Sequence, residues 1–457
     1  MKKKTRVLDL FYRVICYVLR VIRMEEKFLI KGGNPLKGEI RVRGSKNAAS
    51  KLMIASLLTR EPCKIENIPM SAEIDIVQEL CESIGSRVIV ADHTATVQTP
   101  EITTSRVPEL SRKNRIPVLA LGPLLHRKGA AEVPVMGGCY LGHRPINFHI
   151  EALHQMGVRI ERREHSYYAE ADTIRGSNIV LPYPSVGATE TILLTAVLAQ
   201  GTTTITNAAV EPEIHNLIQM LVAMGADIEL DESSRNIFIK GVTQLRGAIM
   251  RVIPDRNEIV SFATAALATD GHVFIHDTEH AMLNTFLHAV RAIGGMADIQ
   301  SDGIEFSGKR PYKPLVIETS PHPGFMTDWQ QPFCILLTQA NGESILHETV
   351  YDDRFAYVKD LKRMGADIEV SDECQGNAPC RFNGATFNHS VRVRGATTLH
   401  GAEITMTDLR AGMAHIIAAL AASGESLISG IAHVERGYEK IDERLRSLGA
   451  DIQRISE

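Results

Sequence analysis

Leu221-Val222-Ala223-Met224-Gly225-Ala226-Asp227-Ile228 belongs to a pattern that recurs along the chain and sets its architecture. It joins the end of an apolar helix to a glycine and then to a short alternating run. A glycine at that point supplies the left-handed turn that closes a helix, and the residues after it alternate as a half-buried strand. The other copies are Leu80-Cys-Glu-Ser-Ile-Gly85, Leu153-His-Gln-Met-Gly157, Val290-Arg-Ala-Ile-Gly294, Leu361-Lys-Arg-Met-Gly365 and Leu445-Arg-Ser-Leu-Gly449. Taken in chain order, the six glycines are separated by 72, 68, 69, 71 and 84 residues. A second phrase precedes several copies: an Ala/Leu-rich helix turns at a glycine into a β-branched strand, as in Ala196 to Gly201 followed by Thr202-Thr-Thr-Ile-Thr. Each unit therefore reads as α-β-α-β over about 70 residues, the signature of a repeat architecture. The helices are apolar on a continuous face, as in Thr191-Ile-Leu-Leu-Thr-Ala-Val-Leu-Ala, which assigns them to the core. Six units group most simply as three per lobe in two lobes, with a ligand cleft between them.

Composition agrees with that size. A chain of 457 residues exceeds one ordinary domain, and 44% hydrophobic with 23% charged residues is a globular balance. A formal net charge of -4 excludes nucleic-acid binding driven by bulk charge. A local cationic site for an anionic small molecule fits better. The cysteines, at 16, 63, 81, 139, 334, 374 and 380, are odd in number and carry no disulfide or zinc spacing, so a reducing cytoplasm is expected. Cys374 and Cys380 read as too isolated for a metal site. Residues 1–23 differ from the rest: Lys2, Lys3, Lys4, Arg6, Arg13, Arg20 and Arg23 face a single Asp9 around the apolar run Val14 to Leu19. That run is too short to span a membrane and no small-residue cleavage site follows. Met24 is favoured as the true start, with a basic amphipathic helix on an anionic membrane as the other reading. Membrane contact is thereby confined to residues 1–23.

Several stretches carry chemistry. Met136 to Pro145 holds Cys139 among Gly137, Gly138 and Gly142, beside His143 and Arg144, where nearby cations lower a thiol's pKa and make it a nucleophile or proton donor. A small buried thiol is the plain alternative. Lys46, in Gly44-Ser45-Lys46-Asn47-Ala48, sits at a strand-to-helix turn where free N–H groups draw anions. Arg115 directly precedes the apolar helix Ile116 to Leu121. Ser185-Val186-Gly187 leads small residues into a helix, a cradle for a diphosphate. Pro254-Asp255-Arg256 reads as a hinge or an ion pair. Asp328, after Pro321-His322-Pro323, is placed for general-base work or, more plainly, for N-capping. Arg354, Arg410 and Arg436 each stand near an expected helix start in the later repeats. Together with Lys46, Arg115 and Arg144 they suit a substrate bearing phosphate and carboxylate, since a guanidinium binds either group bidentately.

In this order the phrases resemble the UDP-N-acetylglucosamine enolpyruvyl transferases over about residues 27 to 455. The matching stretches are Gly44-Ser-Lys-Asn-Ala, Arg115 to Pro123, Gly137-Gly-Cys-Tyr-Leu-Gly-His-Arg-Pro, Ser185-Val-Gly-Ala-Thr-Glu, Asn207 to Ile214, Pro254-Asp-Arg, Pro321 to Asp328, Asp353-Arg-Phe, Thr407-Asp-Leu-Arg-Ala and Arg436-Gly-Tyr-Glu-Lys-Ile. The resemblance implies an α/β fold: a two-lobed inside-out α/β barrel of six repeats, with residues 46–253 as the first lobe and 24–45 plus 254–457 as the second. It implies transfer of the enolpyruvyl group of phosphoenolpyruvate to the sugar 3-hydroxyl, an early step of peptidoglycan synthesis, by a monomer without metal or organic cofactor. Cys139, Asp328, Lys46 and Arg410 would be catalytic, and the epoxide fosfomycin would alkylate Cys139. Lys46, Asn47, Arg115, Arg144, Ser185, Val186, Gly187, Asp328, Arg354, Asp408, Arg410 and Arg436 would bind substrate. Asn147, Ser50-Lys51 and Arg256-Asn257-Glu258 depart from the family's usual residues. They keep two alternatives open: a different nucleotide-sugar acceptor, and a non-catalytic paralogue that binds nucleotide sugar.

Overall fold

The structure is a computed structural model that describes residues 26–112, 114–135, 146–376 and 380–456. Two separate apolar cores form. One gathers side chains from Ala48 to Val252, the other joins Phe28 to Val42 with Ile259 to Ile452. The N-terminal strand Glu26–Lys31 lies between strands Glu425–Ser429 and Asp451–Ser456, and Lys37–Arg41 runs parallel to His272–His276. The chain thus begins in the second core, builds the first, and returns. Both passages touch at Gly44 and Pro254, where Ser45 N–H donates to Ile253 O at 2.7 Å and Asp255 N–H to Arg43 O at 2.8 Å.

The glycine phrase folds as its sequence demands. All six repeat glycines have positive φ, from +88° at Gly157 to +110° at Gly85, which L side chains reach only at a cost. The strand after each one, such as Asp227–Asp231 or Asp451–Ser456, is an edge strand of its own sheet. Five of the sheets formed by described residues have four strands and one has three. Each four-stranded sheet combines one parallel pair with antiparallel neighbours.

The sheets enclose buried helices. In the second core Arg256–Ala268 and Leu409–Ala421 are buried at every residue, and Thr327–Thr338 at all but one. In the first core Val186–Ala196 is buried from Ala188 onward. Apolar helices inside and amphipathic sheets outside reverse the common layering, and that is the inside-out α/β arrangement. One local expectation fails. The apolar helix after Arg115 is a 3₁₀ turn, Ile116–Ala120, before the α-helix Leu121–Lys128; in one continuous α-helix Pro123 would have no N–H for Leu119 O and its ring would crowd that carbonyl. No helix among the described residues is long and apolar enough to cross a membrane.

Candidate active site

The helix Thr327–Thr338 begins the site. Met326 is its cap and Asp328 its second residue, so the plain expectation that Asp328 serves as an N-cap is wrong. Its carboxylate accepts from Arg354 Nη2 at 2.6 Å and from Arg410 Nε at 3.1 Å. Burial alone would raise the acid's pKa, but the two guanidinium groups outweigh it and hold the carboxyl well below its usual range. Arg354 is fixed in turn by Thr327, whose Oγ1 accepts from Nη1 at 2.8 Å and donates to the buried Glu348 at 2.8 Å. Arg354 lies in a turn four residues before its helix Val358–Arg363, and Arg436 ends the 3₁₀ turn Ile431–Arg436. Of the three later arginines only Arg410 stands at a helix start, where Asp408 caps Leu409–Ala421 by accepting from the N–H groups of Arg410 and Ala411.

Arg410 is set by a directed chain. Ser261 Oγ donates to Asn257 O at 2.8 Å, so Tyr438 O–H donates to Ser261 at 2.7 Å and accepts from Arg410 Nη1 at 3.1 Å. This holds Nη1 back and turns Nε to Asp328.

The first core meets this group through the helix Lys46–Ala55. Lys46 N–H donates to Asp255 Oδ2 at 3.3 Å, while Asp255 Oδ1 caps the helix Arg256–Ala268 by accepting from Asn257 and Glu258 N–H. One carboxylate therefore joins helix starts from both cores. The Lys46 ammonium is lowered from its ordinary pKa, first by burial and then by Arg410, Lys51 and Arg436, against the pull of Glu73. Glu73, on the helix Ala72–Ser83, reaches across to Arg436 at 3.2 Å. Lys46, Arg354, Arg410 and Arg436 thus form a cationic cluster with Asp328 and Glu73 set into it. Nearby, Arg256 and Glu213 form a buried two-point pair between the cores, at 3.2 and 2.8 Å.

The Ser185 turn belongs to the first core. Ser185 caps Val186–Ala196, accepting from Ala188 N–H at 3.4 Å. A Cβ at Gly187 would lie 3.0 Å from the His149 ring, so a larger residue there would have to push the ring aside. His149 is pushed down to about 3 by burial and by Arg115, and so stays neutral. Asn47 and Arg115 are half-buried at helix starts. Cys139 and Arg144 lie outside the described residues, as do residues 1–23. Sequence reasoning missed Glu73, Thr327, Glu348 and Tyr438. Each sits on an ordinary helix, turn or strand end, and only its long-range partner distinguishes it.

The sequence profile of EPSP synthase (3-phosphoshikimate 1-carboxyvinyltransferase) matches residues 30–445. UDP-N-acetylglucosamine 1-carboxyvinyltransferase of Protochlamydia amoebophila is 46% identical over 439 residues, covering 94% of each chain. The enzyme of the same name from Chlamydia pneumoniae is 43% identical over 429 residues, covering 92% of this chain and 93% of that one. In fold, the enolpyruvyl transferase NikO from Streptomyces tendae superposes with a TM-score of 0.82 at 23% identity, over 95% of this chain and 100% of that one. EPSP synthase from Acinetobacter baumannii superposes with a TM-score of 0.67 at 18% identity, over 94% and 100%. With its inside-out α/β architecture and this extent of likeness, the chain belongs to the enolpyruvyl transferase family, among the UDP-N-acetylglucosamine 1-carboxyvinyltransferases.

Proposed function

We propose that this protein transfers the enolpyruvyl group of phosphoenolpyruvate to the 3-hydroxyl of UDP-N-acetylglucosamine, releasing phosphate. The observation that carries the reading is Asp328 held between Arg354 and Arg410 at the edge of the Lys46 and Arg436 cluster. That arrangement places a base beside a site for a dianionic phosphate and a carboxylate. Paired with two guanidinium groups, Asp328 is too weak a base to act. When the anionic groups of phosphoenolpyruvate take a share of Arg410 and Arg354, the carboxylate regains basicity. Asp328 then accepts the proton of the sugar hydroxyl as its oxygen bonds to C2, and the methylene carbon is protonated, a role suited to the Cys139 thiol. In the second half the C2–O bond to phosphate breaks, the phosphate leaves with the proton held by Asp328, and the Cys139 thiolate takes back a methyl proton, which restores the double bond. Lys46, Arg410 and Arg436 follow the negative charge from bridging to free phosphate. Arg115, Arg144, Asn47 and the Ser185-Val186-Gly187 turn would hold the nucleotide sugar, with Asp408 keeping the Arg410 helix start in place. Residues 46–253 and 24–45 plus 254–457 would act as the two lobes, and the cytoplasm supplies both substrates. Mass spectrometry of the nucleotide sugar after incubation with phosphoenolpyruvate tests the reading. Gain of one enolpyruvyl group supports it, and unchanged UDP-N-acetylglucosamine with active-site occupancy would instead favour a non-catalytic binder.

A further inference from the structure

A second cluster lies in the second core, next to Glu348, whose N–H donates to His389 O at 2.8 Å. The strand Gly342–His347 ends at His347, which is wholly buried, and its partner strand Ser390–Gly395 is preceded by His389, also wholly buried. Between strands Asp367–Ser371 and Ser390–Gly395 the chain makes a long excursion, which accounts for the wide last gap in the repeat spacing. Cys374 and Cys380 belong to it. Their sulfurs and one ring nitrogen of His347 lie within 4.8 Å of one another, and Cys374 Sγ is 3.3 Å from His389 Nε2. Chain spacing hid this, because the two histidines arrive on neighbouring strands.

The hydrogen bonds fix which nitrogen each ring presents. Ser390 Oγ gives its only proton to Glu373 O at 2.6 Å, so at 2.7 Å it must accept from His347 Nδ1–H. His347 Nε2 therefore carries the lone pair, and it is buried without a hydrogen-bond partner. His389 Nδ1 lies 3.1 Å from Phe387 O, which can only accept, so His389 too presents a bare Nε2, toward Cys374. Both imidazoles thus have the outer nitrogen held by a second group, the arrangement that orients histidine toward a metal. Phe382 N–H donates to Cys380 Sγ at 3.4 Å. Gly376 presses on the cluster: a Cβ there would stand 2.5 Å from both His347 Cδ2 and Glu318 Oε2.

We propose that Cys374, Cys380, His347 and His389 form a structural site for a zinc-class divalent cation. Two thiolates and two imidazoles are the donor set such an ion prefers in closed tetrahedral sites, with bonds of about 2.3 Å to sulfur and about 2.0–2.1 Å to nitrogen. Binding releases the two thiol protons to solvent and leaves the site neutral. This departs from the sequence expectation that the two cysteines are too isolated to bind metal. The ion would pin the excursion that carries Arg381. That guanidinium lies 4.4 Å over the Tyr183 ring of the first core, close to the Ser185 turn, and donates to Val350 O at 2.7 Å on the loop leading to Arg354. The staple would thus hold an arm of the second core against the first.

The test is made on the full chain, reduced, stripped with a chelator and titrated with Zn²⁺. The expected result is one zinc per chain by elemental analysis, a thiolate-to-metal absorption band with Co²⁺, and zinc protection of Cys374 and Cys380 from alkylation, read peptide by peptide. Protection needs no variant, so it stands even where a substitution impairs folding. Ser390→Ala, which frees the His347 ring, should weaken zinc affinity by about 10–100-fold. Equal labelling of both cysteines with and without zinc would overturn the proposal. So would full zinc binding by a Cys374→Ser/Cys380→Ser variant, or a Cys374–Cys380 disulfide whose reduction restores no metal uptake.

Discussion

Asp328 concentrates the chemistry at the scale of single residues. Replacing it with Asn keeps the size but removes the base, so turnover should fall about 10²–10⁴-fold, and because the buried Arg354 and Arg410 lose their counter-charge the thermal midpoint should fall as well. Turnover within a few-fold of wild type would remove Asp328 from the mechanism. The pH profile gives an independent reading. In the free enzyme Asp328 is held below the usual carboxylate range, so its acid limb in kcat/KM should lie at low pH. In the complex the arginines are shared with substrate, so the acid limb of kcat should lie at higher pH; coincident limbs would contradict that sharing. The same pairing bears on stability with a definite sign. A folded-state value below the unfolded one contributes stability above the unfolded value of about 3.9, lost as pH falls toward the folded value.

These residues were unequally legible. Lys46, Ser185 and Arg410 announce themselves because glycine, proline or a capping residue marks a helix start, and such starts attract anions. Arg354 and Arg436 were legible as candidates, and both lie on turns ahead of a helix rather than at its first residue. Glu73 and Tyr438 had no local signal. Their roles come from partners hundreds of positions away in the chain or on another helix, which no short pattern encodes.

At the scale of elements, the glycine turns decide the units. Gly225 has φ of +105° and open space where a Cβ would stand, so Gly225→Ala should cost only the backbone penalty, about 1–2 kcal/mol. Gly241 is the useful contrast, because a Cβ there would stand 1.7 Å from Ala199 O. Gly241→Ala should therefore cost clearly more than Gly225→Ala in denaturant unfolding, and the reverse order would show that backbone conformation, not close approach, governs these sites. The helix pair Pro212–Ala223 and Arg256–Ala268 is joined by Glu213 and Arg256, which are 5% and 1% exposed. Removing one partner strands a buried charge, so Glu213→Ala should lower stability by about 3–5 kcal/mol. A loss under about 1 kcal/mol would mean that water enters the pair.

The repeat glycines and apolar helices were readable because helix and strand periods differ and each unit repeats the same switch. The 3₁₀ turn at Ile116–Ala120 was not, since its apolar pattern is compatible with either helix.

The whole molecule depends on contacts that join the two cores: Asp255 spanning two helix starts, Arg436 on Glu73, Glu213 on Arg256, and Arg381 over Tyr183. The cationic cluster exists only because these bring Lys46 beside Arg410. Pairing of the first strands with the last, as at Phe28 with Ile428 and Arg454, was beyond the reach of residue periodicity, which gives strands but not their partners. It was expected only through the family resemblance.

Enolpyruvyl transfer to one acceptor is read out by phosphate release from phosphoenolpyruvate. The assay sets UDP-N-acetylglucosamine beside other nucleotide sugars and shikimate 3-phosphate. The account predicts release with UDP-N-acetylglucosamine and none with shikimate 3-phosphate, which would make Asn147 a tolerated departure. Release with another nucleotide sugar alone, or with no acceptor at all, would contradict it.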